Sequence, residues 1–288
     1  MKYIIFTFIL FSNLFFSQNK RFIYDYKFVT DSTQKDKVET EQMYLDLAEK
    51  GSKYYSRNVF VRDSLVEAAF KEQEANHSNN FKFPNIGIKG VVRYVVEKSY
   101  PDFNIFYFNT VETDEYKVND DREMNWKISP EKDKIGSWEV QKATLEMFGR
   151  KWIAWFSTEI PFPDGPYKFH GLPGLIVKIS DETNSHSMEL KGVKNLNSNE
   201  IWKSYAHKER YNPLVNINEK QYKKVILAYR KDPVKGFRMQ LSDPNVKFVM
   251  KDSTGKILSN SEMLRNREKN AKVQIEKQNN YLELDLLK

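Results

Sequence analysis

The sequence predicts a mainly β fold with minor α: one twisted antiparallel meander sheet, open or rolled into a half-barrel, with a few flanking helices. A two-sheet β-sandwich is the alternative. Three observations predict this. Aromatic and β-branched residues recur at every second position, short turn signals separate those runs, and no helical pattern lies between most of them.

The elements follow in order. "RFIYDYKFVTD" (21–31) alternates Phe22, Tyr24, Tyr26 and Phe28 with Arg21, Asp25 and Lys27, as a half-buried pleated strand requires. "EQMYLDLAEKGSKYYSRNVFV" (41–61) reads as a hairpin turning at Glu49-Lys50-Gly51. "GVVRYVVEKSYPDFNIFYFNTVE" (90–112) gives two strand runs around Tyr100-Pro101-Asp102. "SWEVQKATLEMFGRKWIAWFSTEI" (137–160) is a hairpin with Gly149-Arg150 at its tip. "GLIVKISDETNSHSMELKGV" (174–193) is another, turning near residues 181–185.

Helix is the minor component. Ser64 is placed to cap "LVEAAFKEQEAN" (65–76), in which Leu65, Ala68, Ala69 and Glu72 recur at helical spacing. "INEKQYKKVILAYRKD" puts Tyr222, Val225, Ile226 and Tyr229 on one face, and "SEMLRNREKNAKVQIEKQNN" is a charged helix carrying Leu264, Ala271 and Ile275. One domain over residues 18–288, with a helical C-terminal region at about 216–278, is the expected organisation.

The first seventeen residues differ from the rest. Lys2 is their one charge, residues 3–10 are an apolar run, and Ser17-Gln18 precedes "NKRF". This pattern predicts a signal peptide over residues 1–17 and an exported chain, periplasmic, outer-membrane-associated or secreted. The run is shorter than the roughly 20 apolar residues of a membrane span, so no transmembrane segment is expected after cleavage. The net charge is +7, distributed along the chain, which suits a solvated surface or attraction to anionic envelope polymers and makes nucleic acid an unsuitable partner in that compartment. There is no cysteine, which excludes disulfides, thiolate chemistry and Cys-ligated metals.

Between the strands ending near Thr158 and starting near Leu175 lies "EIPFPDGPYKFHGLPGL", with Pro161, Pro163, Pro166, Pro173, Gly165, Gly171 and Gly174. Prolines fix φ, and Asp164-Gly165 is a turn dipeptide, so this long connection is stiff. Beyond it Leu175, Val177 and Ile179 alternate with Ile176, Lys178 and Ser180. The stretch reads as a rigid loop delivering a core strand.

The block "GRKWIAWFSTEIPFPDGPYKFHGLPGLIVKISD" resembles the signature of the GLPGLI family of exported bacterial envelope proteins. The hexapeptide stands here as Gly171-Leu172-Pro173-Gly174-Leu175-Ile176. Gly149-Arg150, Ala154-Trp155-Phe156, Ile160-Pro161 and Gly165-Pro166-Tyr167-Lys168-Phe169 precede it in the family's order. "IGSWEVQKAT" (135–144) is similar to a further family segment, with Val140 in place of its frequent cysteine, and "NNYLELDL" resembles the family's closing segment. The resemblance implies an exported β-rich protein and supplies no reaction.

No catalytic group is announced by spacing. The four histidines, His77, His170, His186 and His207, form no H-x-x-x-H or H-E-x-x-H pair, and neither G-x-S-x-G nor a phosphate-binding glycine loop is present. Asp25, Asp46, Glu139 and Asp181 are strand-end acids, a position that more often means a salt bridge than a catalytic pair. Arg150, beside a tip glycine, is either an exposed hairpin cation or a tether reaching Asp164 or loop carbonyls. Trp152 and Trp155 have opposite parity, so one belongs to the core.

The binding candidates are therefore Trp155, Tyr167 and His170, with no cofactor and no metal. The expected function is non-catalytic binding by a curved aromatic-rich sheet, of an apolar ligand or an envelope or outer-membrane protein. The competing expectation is a hydrolase or other enzyme built around His170, which is otherwise an exposed loop residue.

Overall fold

The computed structural model describes residues 19–76, 87–197, 203–208, 213–246 and 248–288. The expected signal peptide and His77 lie outside them. Two meanders make up the sheet. The first is β1 (Lys20–Phe28), β2 (Glu39–Ala48), β3 (Gly51–Ser56), β4 (Val95–Ser99), β5 (Asn104–Val111) and β6 (Asp114–Asp120). The second is β7 (Lys127–Ile135), β8 (Trp138–Met147), β9 (Arg150–Ser157), β10 (Leu175–Asp181) and β11 (His186–Asn195). β11 pairs antiparallel with β1, which fuses the two meanders into one sheet. A short strand, β12 (Val215–Asn218), extends it beside β6, giving the order β12-β6-β5-β4-β3-β2-β1-β11-β10-β9-β8-β7.

This order forces the sheet to roll. β6 and β7 are ten strand spacings apart, roughly 48 Å in a flat sheet. Residues 121–126 join them, and so few residues reach at most roughly 25 Å. The sheet must therefore curl until β6 and β7 approach across the gap, while no pairing among the described residues closes it. The result is an open, mainly β roll, the half-barrel form of the expected meander.

β12 corrects one detail, for it runs parallel to β6, so the sheet is mixed. Returning from the edge through residues 121–197 lets the chain meet β6 in the same direction, which a hairpin cannot do.

The helices are α1 (Arg57–Ala75), α2 (Glu219–Lys231), α3 (Lys235–Ser242) and α4 (Asn260–Lys277). α1 begins earlier than its sequence suggests. Its cap is Ser56, whose hydroxyl accepts from Val59 N, whereas Ser64 sits inside the helix and donates to Phe60 O. "RNVFV" looks strand-like, but the Ser56 cap turns it helical. No residue of α1 is buried, so Leu65 marks no core face. α2 buries Tyr222 and Ile226 as its periodicity predicts, and its Asn218–Gln221 capping box fixes its start.

The inner face of the roll carries Phe22, Tyr24, Tyr26, Phe28, Tyr54, Val96, Tyr107 and Trp152, all buried in one core. Two non-sheet segments fill the interior: the Pro/Gly loop of residues 158–174, and the C-terminal segment after α4. In β10 the expected alternation fails at Ile176, which is as fully buried as Leu175 and Val177. A register shift between Ile176 and Lys178 re-aims it, and the Ile176 carbonyl accepts from Tyr24 Oη at 2.7 Å.

Candidate ligand cavity and the loop that shapes it

The loop is held by a lysine. Lys98 shares the inward parity of Val96 in β4 and has no exposed side-chain surface. It pairs with Asp164, equally buried, and its Nζ donates to the carbonyls of Gly165 (2.6 Å), Tyr167 (3.1 Å) and Phe169 (3.2 Å). Tyr100 Oη donates to the other Asp164 oxygen at 2.5 Å. Burial pushes the Lys98 amine below its usual range, and Asp164 opposes that shift.

The loop's small residues have separate reasons. A Cβ on Gly174 would stand 2.1 Å from Ser157 O, and one on Gly165 would stand 2.7 Å from Ile176 Cδ1. Gly171 instead lies at φ +91° in open space, and Gly149 at φ +71° forms the β8–β9 turn against Asp285 N. Pro166 is buried, and its carbonyl accepts from Phe169 N at 3.2 Å; Pro161 and Pro173 lie on the exposed side. Leu172, Leu175 and Ile176 are core residues.

A second charge group joins the loop to the C-terminal segment. Lys168 Nζ contacts Asp120 Oδ2 at 2.7 Å and Glu283 Oε1 at 2.5 Å. Arg122 bonds both Asp120 oxygens and reaches Glu283 (2.7 Å) and Asp285 (3.1 Å). Tyr167 donates its hydroxyl to Glu283. Burial pushes the Glu283 carboxyl up, yet Lys168 and Arg122 outweigh it and hold it below its usual range. Asp120 is likewise low, with Arg122 and Lys168 overcoming its burial.

A third group surrounds Arg150, which corrects its reading as an exposed cation. Arg150 is buried and pairs with Asp181 at 3.0 Å; it also donates to Asn280 Oδ1 (2.7 Å) and the carbonyls of Tyr281 (2.5 Å) and Leu282 (3.1 Å). It tethers the C-terminal segment, not the Pro/Gly loop. His186 opens β11, and it is buried beside Arg150 and Asp181. Burial and then Arg150 push its pKa from 6.5 down to about 4, so the ring is neutral at pH 7. Nε2 faces the Asn280 carbonyl at 3.0 Å, which only accepts, so Nε2 carries the proton and Nδ1 accepts from Tyr26 Oη at 2.7 Å.

Tyr167, His186, Asn280 and Glu283 of these groups border an open pocket of about 320 Å³ between the inner sheet face and the C-terminal segment. Its rings are Tyr26, Phe28, Tyr94, Tyr107, Tyr167 and Tyr281, with Asn109, His186 and Glu283 supplying polar edges. Tyr94 packs edge-on to Tyr167 at 5.3 Å and lies 5.5 Å from Tyr107. Its hydroxyl is buried and, among the described residues, has no hydrogen-bond partner. An unmet buried hydroxyl costs about 1–3 kcal/mol, so the ring contacts, not the oxygen, hold Tyr94 in place. Burial raises the hydroxyl pKa values of Tyr26, Tyr94, Tyr107 and Tyr167, leaving them neutral donors rather than phenolate nucleophiles. Chemically, the cavity can stack, enclose and donate hydrogen bonds.

A larger hollow, about 550 Å³, lies on the outer face between α1 and residues 203–208. Its central groups already satisfy one another: Arg21 forks onto Asp46, and Tyr55 Oη donates to the same carboxylate at 2.7 Å. The smaller pocket, walled by six aromatic rings against four here, is the better candidate despite its size.

Of the three sequence candidates, only Tyr167 lines it. Trp155 sits half-buried on the opposite sheet face, with Lys142 Nζ 5.7 Å from its ring. His170 is not an exposed loop residue. It stacks on Phe103 at 4.9 Å, its Nδ1 meets the Lys168 carbonyl at 3.0 Å, and Trp126 Nε1 donates to its own carbonyl. Burial lowers its pKa. Trp152, not Trp155, is the core indole, lying against Phe169 of the loop.

The strand-end acids serve as structural partners where they bond. Asp46 holds Arg21, Asp181 holds Arg150, and Glu139 lies 3.6 Å from Lys134; Asp25 is a half-buried β1 residue, and His207 is exposed. Lys98, Tyr94, Tyr107, His186, Asn280 and Glu283 were not singled out from sequence. Parity with Val96 was the available signal for Lys98, and the conspicuous "NNYLELDL" was the signal for Asn280 and Glu283.

The structure thus defines an open mainly β roll with an aromatic-lined pocket beside its C-terminal segment. Residues 149–178 match a family model described as a protein of unknown function (Porph_ging), covering β9, the loop and the start of β10. A comparison with curated proteins finds no match. Among solved structures, the chain is similar to PNGF-II in two crystal forms. In the P21 form the identity is 16% and the TM-score 0.47, and in the C2 form 15% and 0.46. Each alignment covers 74% of this chain and 34% of the other, so the chain spans about a third of the length of those structures.

Proposed function

We propose that this chain is an exported envelope protein that binds a ring-bearing or apolar ligand in the cavity of its rolled sheet, without converting it. The observation that carries this reading is the pocket wall of six aromatic rings edged by the polar groups of Asn109, His186 and Glu283. Aromatic walls bring contact area at low entropic cost, and a few fixed polar groups set orientation. The short apolar N-terminal run behind Lys2 supports export.

The ionisable groups nearest the cavity favour binding over catalysis. Glu283 and Lys168 hold each other, His186 is locked in one tautomer by Asn280, and the tyrosines stay protonated. His170, the centre of the competing enzyme reading, lies outside the cavity lining.

The test uses the environment-sensitive probe 1-anilinonaphthalene-8-sulfonate with the mature chain. Enhanced probe fluorescence that is lost in Tyr107→Ala, in a variant still folded by circular dichroism though less stable, supports the reading. Probe binding unchanged in Tyr107→Ala overturns it. Tyr94→Phe separates the polar contribution: it should raise the stability of the ligand-free protein by removing an unmet hydroxyl.

A further inference from the structure

Residues 213–278 contain fifteen Lys and Arg against seven Asp and Glu, a surplus of eight, while the whole chain carries only +7. The basic charge is therefore not spread along the chain: the helical region carries all of the surplus, and the remainder is close to neutral.

Within this region, residues 248–258 form a small finger between α3 and α4. Lys251 and Ile257 make an antiparallel bridge, Leu258 N donates to Met250 O at 2.8 Å, and Asp252 N donates to Lys256 O at 3.0 Å. The turn is closed by the Asp252 carboxylate, which accepts from Thr254 N and Lys256 N, and by Gly255 at φ +89°. The finger is anchored, since Phe248 packs on the buried Phe237 of α3 at 5.4 Å and Arg267 of α4 lies over the same ring.

What the finger presents is apolar. Val249 is 71% exposed, Ile257 61% and Met250 50%, and Met239 on the adjoining α3 is 67% exposed. Val249, Met239 and Ile257 are the three most exposed large apolar side chains among the described residues. Lys235, Lys251 and Lys256 are exposed alongside them.

We infer that this finger is a peripheral membrane contact that inserts its apolar tip into the surface of an anionic bilayer. Three features select a lipid surface as occupant. The apolar tip is backed by a concentrated positive charge, the combination that draws a segment to anionic headgroups and then buries its apolar side chains at the acyl boundary. The turn's backbone groups are bonded internally, so entry into the interface leaves fewer of them unmet. Residues 248–258 are far fewer than the roughly 20 apolar residues of a membrane span, so the contact is interfacial.

The test is co-sedimentation of the full mature chain with phosphatidylcholine vesicles, with and without phosphatidylglycerol. Binding should require phosphatidylglycerol and weaken with added salt. Val249→Asp/Ile257→Asp should weaken it about tenfold or more, and Lys251→Glu/Lys256→Glu by a similar factor. All four positions are exposed, and the one pairing lost is the exposed Lys256–Glu262 contact at 2.9 Å, so both variants should melt close to the parent, which separates lost contact from lost fold. Failure of the parent to bind phosphatidylglycerol vesicles, or parent-like binding by the well-folded Val249→Asp/Ile257→Asp protein, overturns the inference. So does equal binding to pure phosphatidylcholine. A finger that instead docks on a protein would give the first of these outcomes.

Discussion

Lys98 and Asp164 form an ion pair with no side-chain exposure on either partner, and that pair fastens the Pro/Gly loop inside the roll. A buried pair contributes little over an apolar replacement of both partners, but removing one leaves an uncompensated charge. Lys98→Met should therefore destabilise the protein by about 3–5 kcal/mol, with the loop carbonyls of Gly165, Tyr167 and Phe169 losing their donor as well. Lys98→Met/Asp164→Asn should recover part of that loss. Urea unfolding of the two single variants and the double variant measures the coupling, and strict additivity would contradict it.

Two glycines of the loop should fail for different reasons. Gly174→Val places a Cβ against the Ser157 carbonyl, a backbone atom that cannot step aside, and should cost roughly 3 kcal/mol or more. Gly171→Ala meets open space and only the left-handed conformation resists it, at roughly 1–2 kcal/mol. Thermal melting should rank Gly174→Val well below Gly171→Ala, and the reverse order would refute the clash.

The strands and the rigid loop were legible in the sequence because they depend on local signals. Alternation in β1, breakers at Asp164-Gly165 and the turn at Gly149 each act within a few residues. The polar interior was not legible, since Lys98, Lys168, Arg150 and Glu283 look like surface residues until the sheet rolls around them. Their partners lie 31 to 161 positions away, and no periodicity announces such pairings. α1 misled for the opposite reason: a local cap at Ser56 overrode a strand-like run.

Stability should fall with acid through His186. Its pKa is about 4 in the fold against an ordinary 6.5, so the unfolded chain binds the extra proton first. The contribution is complete above about pH 6.5 and is lost progressively as pH falls towards 4, amounting to roughly 3 kcal/mol at most. Protonation at Nδ1 ends the ring's acceptance from Tyr26 and places a positive charge beside Arg150. Melting temperatures across this window should slope less in His186→Gln than in the parent, after correction for a lower starting stability. Parallel slopes would assign the pH dependence to other groups.

His170→Ala should be mild but measurable. The variant loses a stacked contact with Phe103, while the backbone carbonyl that accepts from Trp126 remains. A loss of about 0.5–1.5 kcal/mol is expected, with binding of the naphthalene probe unchanged because the ring is not in the cavity wall. Loss of probe binding at normal stability would move the working site to the loop.

Glu283 offers the sharpest test of how the C-terminal segment closes the cavity. It accepts from Lys168, Arg122 and the Tyr167 hydroxyl together, and it lines the cavity itself. Glu283→Ala leaves Tyr167 without its acceptor, whereas Lys168 and Arg122 keep Asp120. The expected cost is therefore below the full 3–5 kcal/mol of a stranded buried charge, at about 2–3 kcal/mol. Glu283→Gln retains the volume and one carbonyl oxygen, so it should preserve the Tyr167 bond and cost less. If the segment shapes the cavity, Glu283→Ala should also weaken probe binding as Tyr107→Ala does, and Glu283→Gln should largely restore it. Probe binding that ignores both substitutions while stability falls would make Glu283 a clasp for the chain end and remove it from the cavity's working groups.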